Sequence, residues 1–211
     1  MDRYVEKLLS ISESVCSEKH QKNQFSASIM PHNDLILINE ILSKKNGFYA
    51  FESALHFYGT GNNRMDIDLI QWNSEDLWIN WYKDLRPVGI CFAEDLFGNQ
   101  FVSSGNGVFI FNNETGEQEC IANSVAQWCK LILDDYEYLT GYPLAHEWQK
   151  KNGALRPKQR LGAKIPFVLE GEFTEANLYA IDCIKLMRAN ANLAIQISNM
   201  PDGGSVKLRI S

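Results

Sequence analysis

Four short apolar segments in succession, cut by three turns, constrain this chain more than any other feature. The segments are "VGICFAE", "QFVSS", "GVFIFN" and "EQECIA", within residues 88–122, and "DLFGN", "SGN" and "NETGE" stand between them. Aromatic and β-branched residues suit a pleated surface, while Gly, Asn and Asp supply the backbone angles of a tight reversal. The pattern predicts an antiparallel meander.

Helical spacing dominates elsewhere. Tyr4, Leu8, Ile11 and Val15 predict an amphipathic helix over residues 3–18. "HNDLILINEILSKKNG" predicts another, with Asn33 or Asp34 as cap and Gly47 as stop. "GFYAFESALHFYG" suggests a short strand entering a helix, and "TGNNRMD" a turn cluster. "NSEDLWINWYKDLRP" predicts a helix capped by Ser74, with Trp78, Trp81, Tyr82 and Leu85 on a core face and Pro87 as its end. "NSVAQWCKLILDDYEYLTG" predicts one continuous helix closed by Gly141, and "PLAHEWQKKNG" a helix from Pro143. Beyond it, "KIPFVLEG" suggests a strand and "TEANLYAIDCIKLMRAN" a helix capped by Thr174. The alternating "NLAIQIS" and "SVKLRI", joined by "NMPDGG", suggest a hairpin. The fold class is α+β, an antiparallel sheet flanked by helices. At 211 residues a single domain over 1–211 is expected, with 150–211 open to being a C-terminal extension packed on it.

Charge and motifs narrow the function. The net charge of −6 is opposite in sign to that of a typical nucleic-acid binder. Asp2 and Glu6 interrupt the start of the chain, where a signal peptide would need an apolar run, and "LILI" and "ICFA" are far too short to span a membrane. The five cysteines form no CxxC and read as reduced, mostly buried thiols, so the cytoplasm is the expected compartment. "HEWQK" at His146 has Lys150 where a zinc protease needs its second histidine, and His20, His32 and His56 lack ligand spacing. "GTGNNR" lacks the third glycine of a dinucleotide loop, and there is no GxSxG. No metal or cofactor is implied.

Two acidic features remain. Glu94 and Asp95 are adjacent, so on a strand they point to opposite faces and cannot converge on one substrate. Asp95 can instead close the "DLFGN" turn, with Gly98 at positive φ; Glu94 has no such local role. Residues 112–147 hold seven carboxylates against Lys130 alone, whereas 150–169 hold six basic residues and no acid. Either the acidic face pairs loosely with that basic segment, or it attracts a cationic protein.

Taken together, "NGFYAFESALHFY", "CFAEDLFGNQFVSS", "GVFIFNNETGE" and "SVAQWCKLILDDYEYLTG" resemble the SUKH superfamily, which holds yeast cell-wall-integrity regulators and bacterial immunity proteins. The resemblance runs over residues 35–145, with "AEDLFGNQF" a structural motif on the sheet. It implies a sheet-and-helix domain with no catalytic residues and no cofactor. For bacterial members it implies an antidote that binds a co-encoded toxin, often a nuclease or deaminase. The expectation is therefore a cytoplasmic immunity protein acting on a basic toxin, without nucleic acid or membrane, with Glu94, Asp95, Asp134, Asp135 and Glu137 as candidate contacts. The alternatives are a regulatory protein-binding scaffold without a toxin and an enzyme using acidic residues.

Overall fold

The structure, a computed structural model, describes residues 2–14, 30–61 and 66–200. The meander is present, and longer than its sequence signal. Seven strands pair in chain order, all antiparallel: β1 (Glu13–Ser14), β2 (Phe48–Ala50), β3 (Leu55–Phe57), β4 (Ile90–Glu94), β5 (Gln100–Ser104), β6 (Gly107–Phe111) and β7 (Gln118–Ala122). Together with the helices on both faces this gives the expected α+β class. All five residues of β4 are buried, as befits a strand covered on both sides.

Cross-strand register assigns the two faces. Phe48, Phe57, Ala93, Phe101 and Ile110 lie opposite one another in sequence across β2–β6. They face helix α4 (Val125–Asp134), whose Trp128 ring lies 4.9 Å from Phe92 and 5.2 Å from Phe101. Helices α1 (Arg3–Ile11) and α2 (His32–Lys44) pack on α4. Tyr49, His56, Glu94, Gln100 and Phe111 form the alternate row. That face is covered by a short helix α3 (Leu69–Trp72), a 3-10 segment (Ile79–Leu85) and the C-terminal elements.

Several expectations change. The first helix stops at Ile11, and residues 15–18 lie outside the described residues, as does most of "TGNNRMD". Pro31, not Asn33 or Asp34, precedes α2; buried Asp34 instead accepts from Ser103 Oγ at 2.8 Å and from the Val125 amide at 3.0 Å. "FESA" is a hairpin turn rather than a helix, with Phe51, Glu52 and Ser53 all at positive φ. The Ser74 helix is a turn leading into a 3-10 segment kinked at Lys83, which buries Trp78 and Tyr82 but leaves Trp81 45% exposed under Arg188.

The continuous helix predicted after residue 123 breaks at Asp135 (φ −143°, ψ 45°), which separates α4 from α5 (Tyr136–Thr140). Gly141, at φ +74°, ends α5, and α6 (Tyr142–Asn152) follows. "KIPFVLEG" is a loop with one 3-10 turn; the strand lies earlier, as β8 (Gln159–Ala163), paired with β9 (Leu178–Asp182). "NLAIQIS" belongs to α7 (Cys183–Ser198), capped by the Asp182 carboxylate rather than by Thr174, and "SVKLRI" is outside the described residues. Met187, Ala191 and Ala194 of α7 join the main core, whereas Leu155, Leu161 and Leu178 pack with Leu96, Ala145 and Trp148 in a second cluster. Among the described residues no helix is long and apolar enough to cross a membrane.

Candidate functional site

The second row of the sheet buries charge. His56 on β3 stands directly opposite Glu94 on β4, and Gln100 on β5 opposite Glu94 in turn. His56 Nδ1 lies 3.1 Å from Glu94 Oε1, and His56 Nε2 lies 2.8 Å from Asp66 Oδ2. Gln100 Nε2 donates to Glu94 Oε2 at 3.3 Å, and Gln100 Oε1 accepts from Trp72 Nε1 at 2.7 Å. Arg160, from β8, brings Nη2 to 2.7 Å from Glu94 Oε1 and places its guanidinium 5.3 Å from the centre of the Tyr49 ring. His56, Glu94 and Arg160 are each at most 2% exposed, and Asp66 is 6% exposed.

The protonation follows from the geometry. Each imidazole nitrogen faces a carboxylate, an arrangement that favours the doubly protonated, cationic ring. Burial disfavours the charged ring, but Asp66 and Glu94 outweigh it and raise the His56 pKa. Burial likewise opposes the Asp66 anion, and His56 overturns that and lowers its pKa. For Glu94, burial is opposed by Arg160 and then His56, with a net lowering. Two cations and two anions therefore close a neutral quartet, the arrangement that makes buried charge tolerable. Arg160 Nη1 donates to the Gln159 carbonyl at 2.9 Å. Its Nε and Nη2 lack an aligned acceptor, so the contact with Glu94 is a Coulombic approach rather than a well-formed hydrogen bond.

Within the quartet, both imidazole nitrogens and both carboxylates face partners among its own members. A cavity of about 10 Å³ touches Asp66 beside Asn46, Thr60 and Asp68, about the space of one water. Among the described residues no cluster of three or more His, Cys, Asp and Glu side chains is placed to hold a metal; the guanidinium stands where a cation would otherwise compensate Glu94.

The neighbouring carboxylate has a separate task. Asp95 Oδ1 accepts from the Phe97 and Asn99 amides at 2.8 and 2.9 Å, and Oδ2 from Asn99 Nδ2 at 2.8 Å. Gly98 completes the turn at φ +82°, as the sequence suggests. Burial lifts the Asp95 pKa to about 7, against the pull of the Asn99 and Phe97 donors. Glu94 and Asp95 are 1% and 4% exposed, so neither can contact a partner on this surface, which removes both from the candidate contacts.

Asp134, Asp135 and Glu137 are exposed at the junction of α4 and α5, beside Tyr138, which is 84% exposed. Asp134 pairs with Lys130 one turn earlier. Of the basic residues of 150–169, Lys150 pairs with Glu147 of the acidic stretch at 3.3 Å, while Lys151 pairs with Glu175 and Arg160 with Glu94. Sequence reasoning missed His56, Asp66 and Arg160. Only the polar His56 amid the apolar "LHF" of a strand hinted at a buried partner.

No family model matches the chain, and no curated protein matches it. Among solved structures it is similar to the crystal structure of Atu4351 from Agrobacterium tumefaciens, at 15% identity and TM-score 0.54, over 88% of this chain and 87% of that one. That likeness supports the α+β fold and speaks to the fold alone.

Proposed function

We propose that this protein acts by stoichiometric binding, and that its partner is a basic protein toxin which it neutralises, as the SUKH resemblance implies. One observation carries the reading: the helix break at Asp135 leaves Asp134, Asp135 and Glu137 exposed around the protruding Tyr138. An acidic ridge accelerates encounter with a cationic protein. A tyrosine at its centre is a residue type that often carries binding energy once buried. The acids inside the fold are occupied by His56, Arg160 and N–H or O–H donors, whereas those on the ridge are open to solvent.

The test uses the neighbouring gene. A secreted protein with a variable C-terminal toxin domain is expected there, and co-expression of that domain with the full chain should restore host growth and give a stable complex. Growth that stays arrested while both proteins accumulate overturns the reading.

A further inference from the structure

Residues 164–177 connect β8 to β9 and are pinched shut at their base. The Lys164 amide donates to the Asn177 carbonyl at 2.7 Å, and Asn177 Oδ1 accepts from the Ile165 amide at 2.9 Å. Asn177 Nδ2 donates to the carbonyls of Ile165 and Glu172 at 2.9 and 3.0 Å. Gly171 lies so close to the other limb that a Cβ there would collide with the Ile165 carbonyl oxygen. The buried Glu114 carboxylate accepts from the Val168 amide at 2.8 Å and ties the loop to the β6–β7 turn. Such compact, self-packed loops are often functional.

This fixed backbone holds apolar groups in water. Phe173 is 65% exposed, Ile165 56% and Val168 36%. Phe173 stacks on Phe167 with ring centres 4.0 Å apart and planes at 2°, and the edge of Phe97 meets Phe167 at 5.1 Å. Phe97 belongs to the Asp95–Gly98 turn and also lies against Gly141 at the end of α5. The aromatic stack is thus joined through Phe97 to the end of α5, the helix that carries Glu137. Exposed Glu170 and Glu172 flank the stack.

We propose that the 164–177 loop is a preformed docking platform that takes an apolar or aromatic side chain of a cationic protein partner. The proposal rests on the basic-partner reading above and adds a second contact to it. Its charge complement is set by the exposed Glu170 and Glu172, which suit Lys or Arg beside the docked side chain. Because the hydrogen bonds already order the loop, binding does not have to order it again.

Random peptides displayed on phage and selected against the full chain test this. Peptides with an aromatic or large apolar residue next to Lys or Arg are expected, binding about tenfold more weakly to Phe173→Ser, the loss typical of one interface aromatic. Ile165→Ser serves as the second variant should Phe173→Ser fail to fold. Basic peptides that ignore both variants but weaken with Asp134→Asn/Glu137→Gln overturn the platform and leave the basic-partner reading standing. Acidic or uncharged peptides that require Phe173 overturn the cationic occupant. Self-association of the full chain that Phe173→Ser abolishes overturns it too, in favour of a second copy.

Discussion

Glu94 and Glu137 are the same residue type in opposite circumstances. Glu94 sits in the sheet against His56 and Arg160, while Glu137 stands in solvent on α5. Pairing and burial, rather than acidity, separate a carboxylate that holds the fold together from one free to meet another molecule. Asp95 is intermediate: buried like Glu94, yet satisfied by turn N–H groups instead of ions.

The largest effect is expected at the quartet. Arg160→Met leaves an uncompensated buried anion and should cost about 3–5 kcal/mol of stability, measured by denaturant unfolding. Adding Glu94→Gln should recover part of that loss, and a strictly additive pair would break the contrast with the ridge.

Proton linkage sharpens the same contrast. His56 has a raised pKa, so its contribution is full below the ordinary value of 6.5 and is lost as pH rises through the folded value. Asp66 and Glu94 have lowered values, so theirs is present above the ordinary carboxylate range and is lost as pH falls through the folded values. Stability should therefore decline on both sides, and His56→Gln should remove the alkaline decline; an unchanged alkaline limb would contradict a charged His56. Asp95 runs the other way, since its raised value makes stability fall as pH climbs toward about 7. Asp95→Asn should flatten that slope.

Asp95→Ala should cost about 1–3 kcal/mol by stranding the amides of Phe97 and Asn99, less than Arg160→Met. A loss as large as that of Arg160→Met would place Asp95 with the ions. The smallest effect belongs to the ridge: Asp134→Asn, Asp135→Asn and Glu137→Gln should each stay within about 0.5 kcal/mol in thermal unfolding.

The β4–β7 meander was legible because period-two alternation and Gly- or Asn-bearing turns are local signals, and the Asp95–Gly98 turn was legible for the same reason. The quartet was not, because its members come from β3, the segment before α3, β4 and β8, and only the fold brings them together. The β2–β3 turn was hidden because Phe51, Glu52 and Ser53 adopt positive φ with no glycine among them. "NLAIQIS" alternates like a strand, yet Met187, Ala191 and Ala194 also share a helical face, and core burial of that face decided the outcome. The 164–177 loop was misread because its apolar residues suggested a strand, while Pro166 and the Asn177 clamp make it a turn.

The most direct test of the division between inner and outer acids is the association rate with the proposed basic toxin partner, followed by stopped flow across a salt series. Wild-type protein should associate more slowly as salt rises, and Asp134→Asn/Asp135→Asn/Glu137→Gln should start slower and respond less, with stability intact. A salt response identical in the two proteins would contradict the account.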